Sequence, residues 1–92
     1  MLHIVKQIND ISNAIEYSLA EDKILLTEDS VYVAVADTSS CAELLESCKS
    51  VYILKADLEA RGLSELVNKY IKVIDYSEWV ELTDSEPKSI SW

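Results

Sequence analysis

A chain of 92 residues has the length of one small domain, and at that size it buries roughly 60–65% of its unfolded surface, so its own core is modest. Apolar residues make up 49% of it, too many for a disordered tail, while eight basic against seventeen acidic residues leave a net charge of −9. That balance argues against direct binding of nucleic acid or of an anionic membrane, either of which would need a basic stripe.

In chain order, Leu2, His3, Ile4 and Val5 form a short apolar run that predicts a strand. Asn9 or Asp10 can then cap a helix whose apolar positions Ile11, Ala14, Ile15 and Leu19 recur at three and four, closing at Glu21 and Asp22. Ile24, Leu25 and Leu26 follow without alternation, the mark of a strand covered on both faces. Residues 31–36 are ambiguous. Their β-branched content favours a strand, yet Asp29 and Ser30 are good capping residues directly after one, and no crossover of sufficient length intervenes. The expectation is a short helix, against propensity.

Ser40 and Glu43 have the spacing of a capping box, ahead of Cys41, Leu44, Leu45 and Cys48 on one helical face. Residues 51–54 predict a third buried strand. Asp57 to Arg61 make a helical turn stopped by Gly62, residues 64–69 allow another turn, and residues 71–74 predict a fourth strand. Asp75 caps the last helix, with Tyr76, Trp79, Val80 and Thr83 on one face and Glu78 completing a capping box. Pro87 ends it, and residues 88–92 alternate like a final strand. Strands separated by helical segments predict a parallel sheet with helices on both faces, one α/β domain over residues 1–92.

The longest apolar run is residues 31–36, too short to span a bilayer, and no leader pattern precedes the first strand, so a cytosolic chain is expected. The scarce residues exclude much catalytic chemistry. A single glycine, Gly62, leaves no Gly-rich phosphate loop, and a single histidine, His3, removes two-histidine zinc sites. On one helix, Cys41 and Cys48 would hold their Cα atoms about 10 Å apart, beyond the roughly 7 Å a disulfide allows. No metal or cofactor is expected.

Three readings of acid, thiol and ring remain open from the residues alone. Glu28, Asp29, Asp57 and Asp75 stand at strand carboxyl ends, where open parallel sheets bind ligands. They could form a magnesium or phosphoacceptor cluster of a degenerate receiver, but the bland reading is helix capping. Cys41 in a first helical turn could carry reactive sulfur, though it shares an apolar stripe with two leucines, as core thiols do. Five Tyr and two Trp with no Phe suit a protein interface, with Trp79 and Trp92 as candidate anchors, and equally suit core rings with a wet edge.

Five segments in order carry a family resemblance: the opening Met1-Leu2-His3; Leu25 to Val31, with the Glu28-Asp29 pair; Val51 to Leu54 followed by Asp57 to Leu63; Val73 to Tyr76 with Trp79 to Thr83; and the terminal Trp92. Together they resemble the DsrH/TusB family over the whole chain. The resemblance implies a three-layer α/β/α DsrE-like fold with a five-stranded, mainly parallel sheet. It implies a non-catalytic subunit assembled with DsrE-like (TusD) and DsrF-like (TusC) chains as a heterotrimer doubled to a hexamer. That complex relays persulfide sulfur towards 2-thiolation of the tRNA wobble uridine, with the reactive cysteine on the DsrE-like partner. Sulfur-oxidising members can carry a further cysteine in the first helix, where this chain aligns Ser18, so the match favours the tRNA branch over sulfur oxidation. Ser30 stands where the family usually has glycine. The alternatives are a chain carrying persulfide itself on Cys41 or Cys48, and, less in keeping with the match, the receiver-like module.

Overall fold

The apolar runs become five strands: β1 (Leu2–Val5), β2 (Lys23–Leu26), β3 (Ser50–Leu54), β4 (Lys72–Ile74) and β5 (Ser89–Ser91). The computed structural model describes residues 1–47 and 50–92. The strands pair in the order β4-β3-β2-β1-β5, and every pairing is parallel. Ile24, Leu25 and Leu26 of the middle strand are all essentially inaccessible, which is why that run shows no polar alternation. Registers such as Ile24 opposite His3 and Val51 align the apolar positions across the three central strands.

Among the described residues four α-helices accompany the sheet: α1 (Ile11–Tyr17), α2 (Ser39–Ser47), α3 (Lys55–Ala60) and α4 (Tyr76–Ser85). The layers are unequal. On one face, Ala14 of α1, Leu44 of α2 and Leu58 of α3 meet Val5, Leu26 and Ile53 in the main core. On the other, Leu2, Leu25 and Ile74 of the sheet pack with Leu82 of α4, and Trp79 adds to the edge of that smaller cluster. At about 25 cal/mol per Å² of apolar surface removed from water, the main core dominates stability.

Residues 31–34 do take a helical path, as the end of a 3-10 helix over Glu28–Ala34, whereas Val35 turns extended and bridges Val67. Val31, Val33 and Ala34 are all buried there, so packing outweighs their strand propensity. The cap is Thr27 rather than Asp29 or Ser30: the Thr27 N–H donates to Ser30 Oγ, and the two side chains form a reciprocal box. Ser30 is fully buried, and its hydroxyl reaches the carbonyls of Val5 at 2.6 Å and Thr27 at 2.7 Å. Serine therefore has a function that glycine could not perform at this loop.

Three further expectations shift. The first helix ends at Tyr17, because Ser18 turns extended, so Leu19 leaves the apolar face and is 75% exposed. The second helix starts earlier than its Ser40 box implies: the Cys41 N–H donates to Thr38 Oγ1 at 3.2 Å, and Ser40 lies exposed. Residues 64–69 form turns rather than helix, tied by Val67 bridging Val35. Gly62 does end α3, with φ +66, and Asp75 does cap α4 in a reciprocal box with Glu78.

Candidate functional site

Two of the acids at the strand carboxyl ends, Asp29 and Asp57, flank a cation from their own chain. Arg61 Nη2 lies 3.0 Å from Asp29 Oδ1, and its Nη1 lies 3.7 Å from Asp57 Oδ1. Asp57 does not cap its own helix, whose N-cap is Leu54. Instead its Oδ2 accepts the Glu28 N–H at 2.7 Å, tying the start of the 3-10 helix across to α3. Glu28 needs that tie, because its φ of 51° places a side-chain-bearing residue in the left-handed region. Asp75 is committed to the α4 cap. Among the described residues no three His, Cys, Asp or Glu side chains come together as metal ligands. The cluster works as a backbone clasp, with Arg61 offsetting part of its negative charge.

Cys41 is 1% exposed, its side chain set against Leu44 and the main core. Burial pushes its thiol up from the ordinary value, against a smaller opposing hydrogen bond with the Asn68 side chain. A buried, protonated thiol is a poor nucleophile, which fits a core role. Cys48 lies outside the described residues.

His3 sits fully buried in β1, with hydrogen bonds on both ring nitrogens. Nε2 is 2.9 Å from Asp22 Oδ2, and Nδ1 accepts the Trp92 indole N–H at 3.1 Å. Asp22 also accepts the Leu19 N–H at 3.0 Å and pairs with the Met1 ammonium at 3.0 Å. Burial alone would raise the Asp22 carboxyl, but the Leu19 amide, His3 and the Met1 ammonium more than reverse it, leaving it at about 2. Tyr17 closes the group edge-on to Trp92, with ring centroids 5.7 Å apart. The sequence marks Asp22 only as a helix-closing acid, because its partners are 3, 19 and 21 positions away. Every buried side-chain nitrogen or oxygen among the described residues has a partner.

The two tryptophans occupy different places. Trp92 is half-buried against the main core and tied to His3. Trp79 is half-buried against the small cluster beneath α4, and its ring stacks on Tyr76, which is 60% exposed. Ser18 ends α1 and donates its hydroxyl to the Ile15 carbonyl at 2.9 Å. Among the described residues no helix is long and apolar enough to cross a membrane.

These features describe an α/β domain whose buried polar side chains are partnered among the described residues, and comparison with known proteins identifies its kind. The family model described as DsrH like protein matches residues 5–89. The chain belongs to the DsrH/TusB family. It is 37% identical over 71 residues to Protein TusB of Pectobacterium parmentieri, covering 77% of this chain and 75% of that one. It is 36% identical over 83 residues to Protein TusB of Serratia proteamaculans, covering 90% and 87%. In fold, this DsrH-family chain resembles the ychN protein from E. coli, with a TM-score of 0.73 at 17% identity over 99% of this chain and 97% of that one. It also resembles protein Tm0979 from Thermotoga maritima, with a TM-score of 0.66 at 30% identity over 96% and 97%. The DsrE-like α/β/α architecture implied by the sequence is therefore the one found, with the sheet parallel throughout.

Proposed function

We propose that this chain is a non-catalytic subunit of a heteromeric sulfur-relay complex that serves 2-thiolation of the wobble uridine in tRNA. The observation that carries the reading is the DsrH match across residues 5–89, with relatives named TusB at similar length. The chemistry of the chain agrees with it. Its described thiol is buried and held protonated, its Asp29 and Asp57 carboxylates pair with Arg61, and its charge of −9 suits contact with protein rather than RNA.

In this reading the partners are the DsrE-like and DsrF-like chains in the cytoplasm, joined as a trimer doubled to a hexamer, and the persulfide travels on a partner's cysteine. Trp79 and Trp92, each half-buried on its own core, are the proposed anchors at the contact. Obligate interfaces of this kind bury about 2,000 Å² or more, so the complex dissociates slowly and the isolated chain is less stable than the assembled one.

The test is co-expression of the three chains with a tag on the DsrE-like one, alongside 2-thiouridine analysis in cells lacking this chain. Stoichiometric co-recovery, with loss of 2-thiouridine that the Cys41→Ser, Cys48→Ser double variant restores, supports the reading. Persulfide label on this chain, with failure of a folded double variant to restore 2-thiouridine, would establish it as a carrier instead.

A further inference from the structure

The second face of the sheet is covered through α4, and α4 also turns an apolar strip away from that face. Leu82 points into the small core, whereas Val80 lies about 200° around the helix from it and is 61% exposed. Tyr76, one turn earlier, is 60% exposed and stacks on Trp79 with ring centroids 6.1 Å apart. With Thr83 and Asp84 these side chains line a shallow depression of about 240 Å³. A helix that only covered a sheet would carry polar groups at these positions.

The helix itself carries charge of one sign. Residues 75–85 include Asp75, Glu78, Glu81 and Asp84 and no lysine or arginine. On the flank towards β4, Lys72 stands beside Glu78 and Glu81, two acids to one base. A second copy of this chain is a poor occupant: two-fold pairing would set the acids of α4 against the acids of its twin, in a chain already at −9.

We infer that the outward strip of α4 docks a segment of another subunit, in which an apolar side chain seats between Tyr76 and Val80 and lysine or arginine faces Asp84 and Glu81. This rests on the subunit reading above, and it assigns that reading a surface and a partner chemistry. The apolar seat supplies the lasting contact, while the charges steer the encounter and reject acidic competitors.

The experiment co-expresses the three chains, tags the DsrE-like one, and compares this chain as wild type, Val80→Glu, Tyr76→Ser, Asp84→Lys and the off-strip control Leu66→Glu. Leu66 is 52% exposed, so its variant matches the strip variants in surface chemistry. Circular dichroism and melting temperature of each chain establish folding, and Tyr76→Ser serves should Val80→Glu fold poorly. Recovery should fall about tenfold for Val80→Glu and severalfold for Tyr76→Ser and Asp84→Lys, with Leu66→Glu at the wild-type level. Wild-type recovery of the folded strip variants overturns the docking surface and leaves the subunit reading standing. Failure of the wild-type chain to co-purify overturns both. A wild-type homodimer made monomeric by Val80→Glu, with complex recovery unchanged, would assign the strip to a second copy instead.

Discussion

Trp92 donates its indole N–H to His3 Nδ1 across 89 positions of sequence, and that one bond fixes the tautomer of a fully buried imidazole. An indole nitrogen can only donate, so Nδ1 must be the acceptor, and the ring proton stands on Nε2, facing Asp22 at 2.9 Å. The terminal residue thereby orders the ring that orders the carboxylate.

Replacing Trp92 with Phe keeps much of the ring contact and removes the donor, leaving Nδ1 buried and unpaired. The expected loss is about 1–3 kcal/mol, measured by urea unfolding. A Trp92→Phe chain as stable as wild type would show that the hydrogen bond contributes nothing to the fold.

Asp22 carries an acid sensitivity that follows from its position. Its folded value of about 2 lies below the unfolded value of 3.8, so its contribution is fully present above the unfolded value and is lost as pH falls towards about 2. Unfolding free energy should therefore decline between about pH 4 and pH 2, and Asp22→Asn should be less stable at pH 7 with a flatter decline in that window. Unfolding titrations of both proteins test this, and parallel profiles would assign the acid sensitivity to other carboxylates.

The burial of Cys41 predicts its reactivity. Iodoacetamide at pH 8 should alkylate Cys41 in the folded chain at least two orders of magnitude more slowly, roughly, than in the urea-unfolded chain. Peptide mapping after timed quenching gives the two rates. Comparable rates would place the thiol within reach of a sulfur donor.

Asp57 and Glu28 can be separated by paired substitutions. Asp57→Ala removes the acceptor of the Glu28 amide and the longer of the two carboxylate contacts of Arg61, at an expected cost of about 1–2 kcal/mol, whereas Asp57→Asn keeps an acceptor for the amide and costs less. At φ 51, Glu28→Gly relieves a left-handed residue and should leave stability within about 0.5 kcal/mol of wild type. Glu16→Gly inside α1 should cost about 1 kcal/mol. Thermal melts decide both comparisons, and a melting temperature raised by millimolar magnesium and lost in Asp57→Asn would revive the cation reading of this cluster.

The strands of this protein are written in its residue order, because a strand buried on both faces needs nothing more than a short unbroken apolar run, as Ile24 to Leu26 shows. The α4 cap is equally local: Asp75 and Glu78 are three positions apart, and both hydrogen bonds lie within one turn. The family, too, was legible, since its motifs are contiguous segments. Other features required the assembled chain. Thr38 rather than Ser40 caps α2 because both are competent and only the path of the preceding chain selects between them. Asp22 looked like a helix-closing acid until tertiary packing brought β1 alongside β2 and placed His3 within reach. Asp57 could be read as a cap for its own helix, but its partner is an amide on the neighbouring crossover, 29 positions earlier. The division follows the range of the forces. Hydrophobic runs and caps act within a few residues, whereas a buried polar atom must take whichever partner the closed sheet delivers, at any separation along the chain.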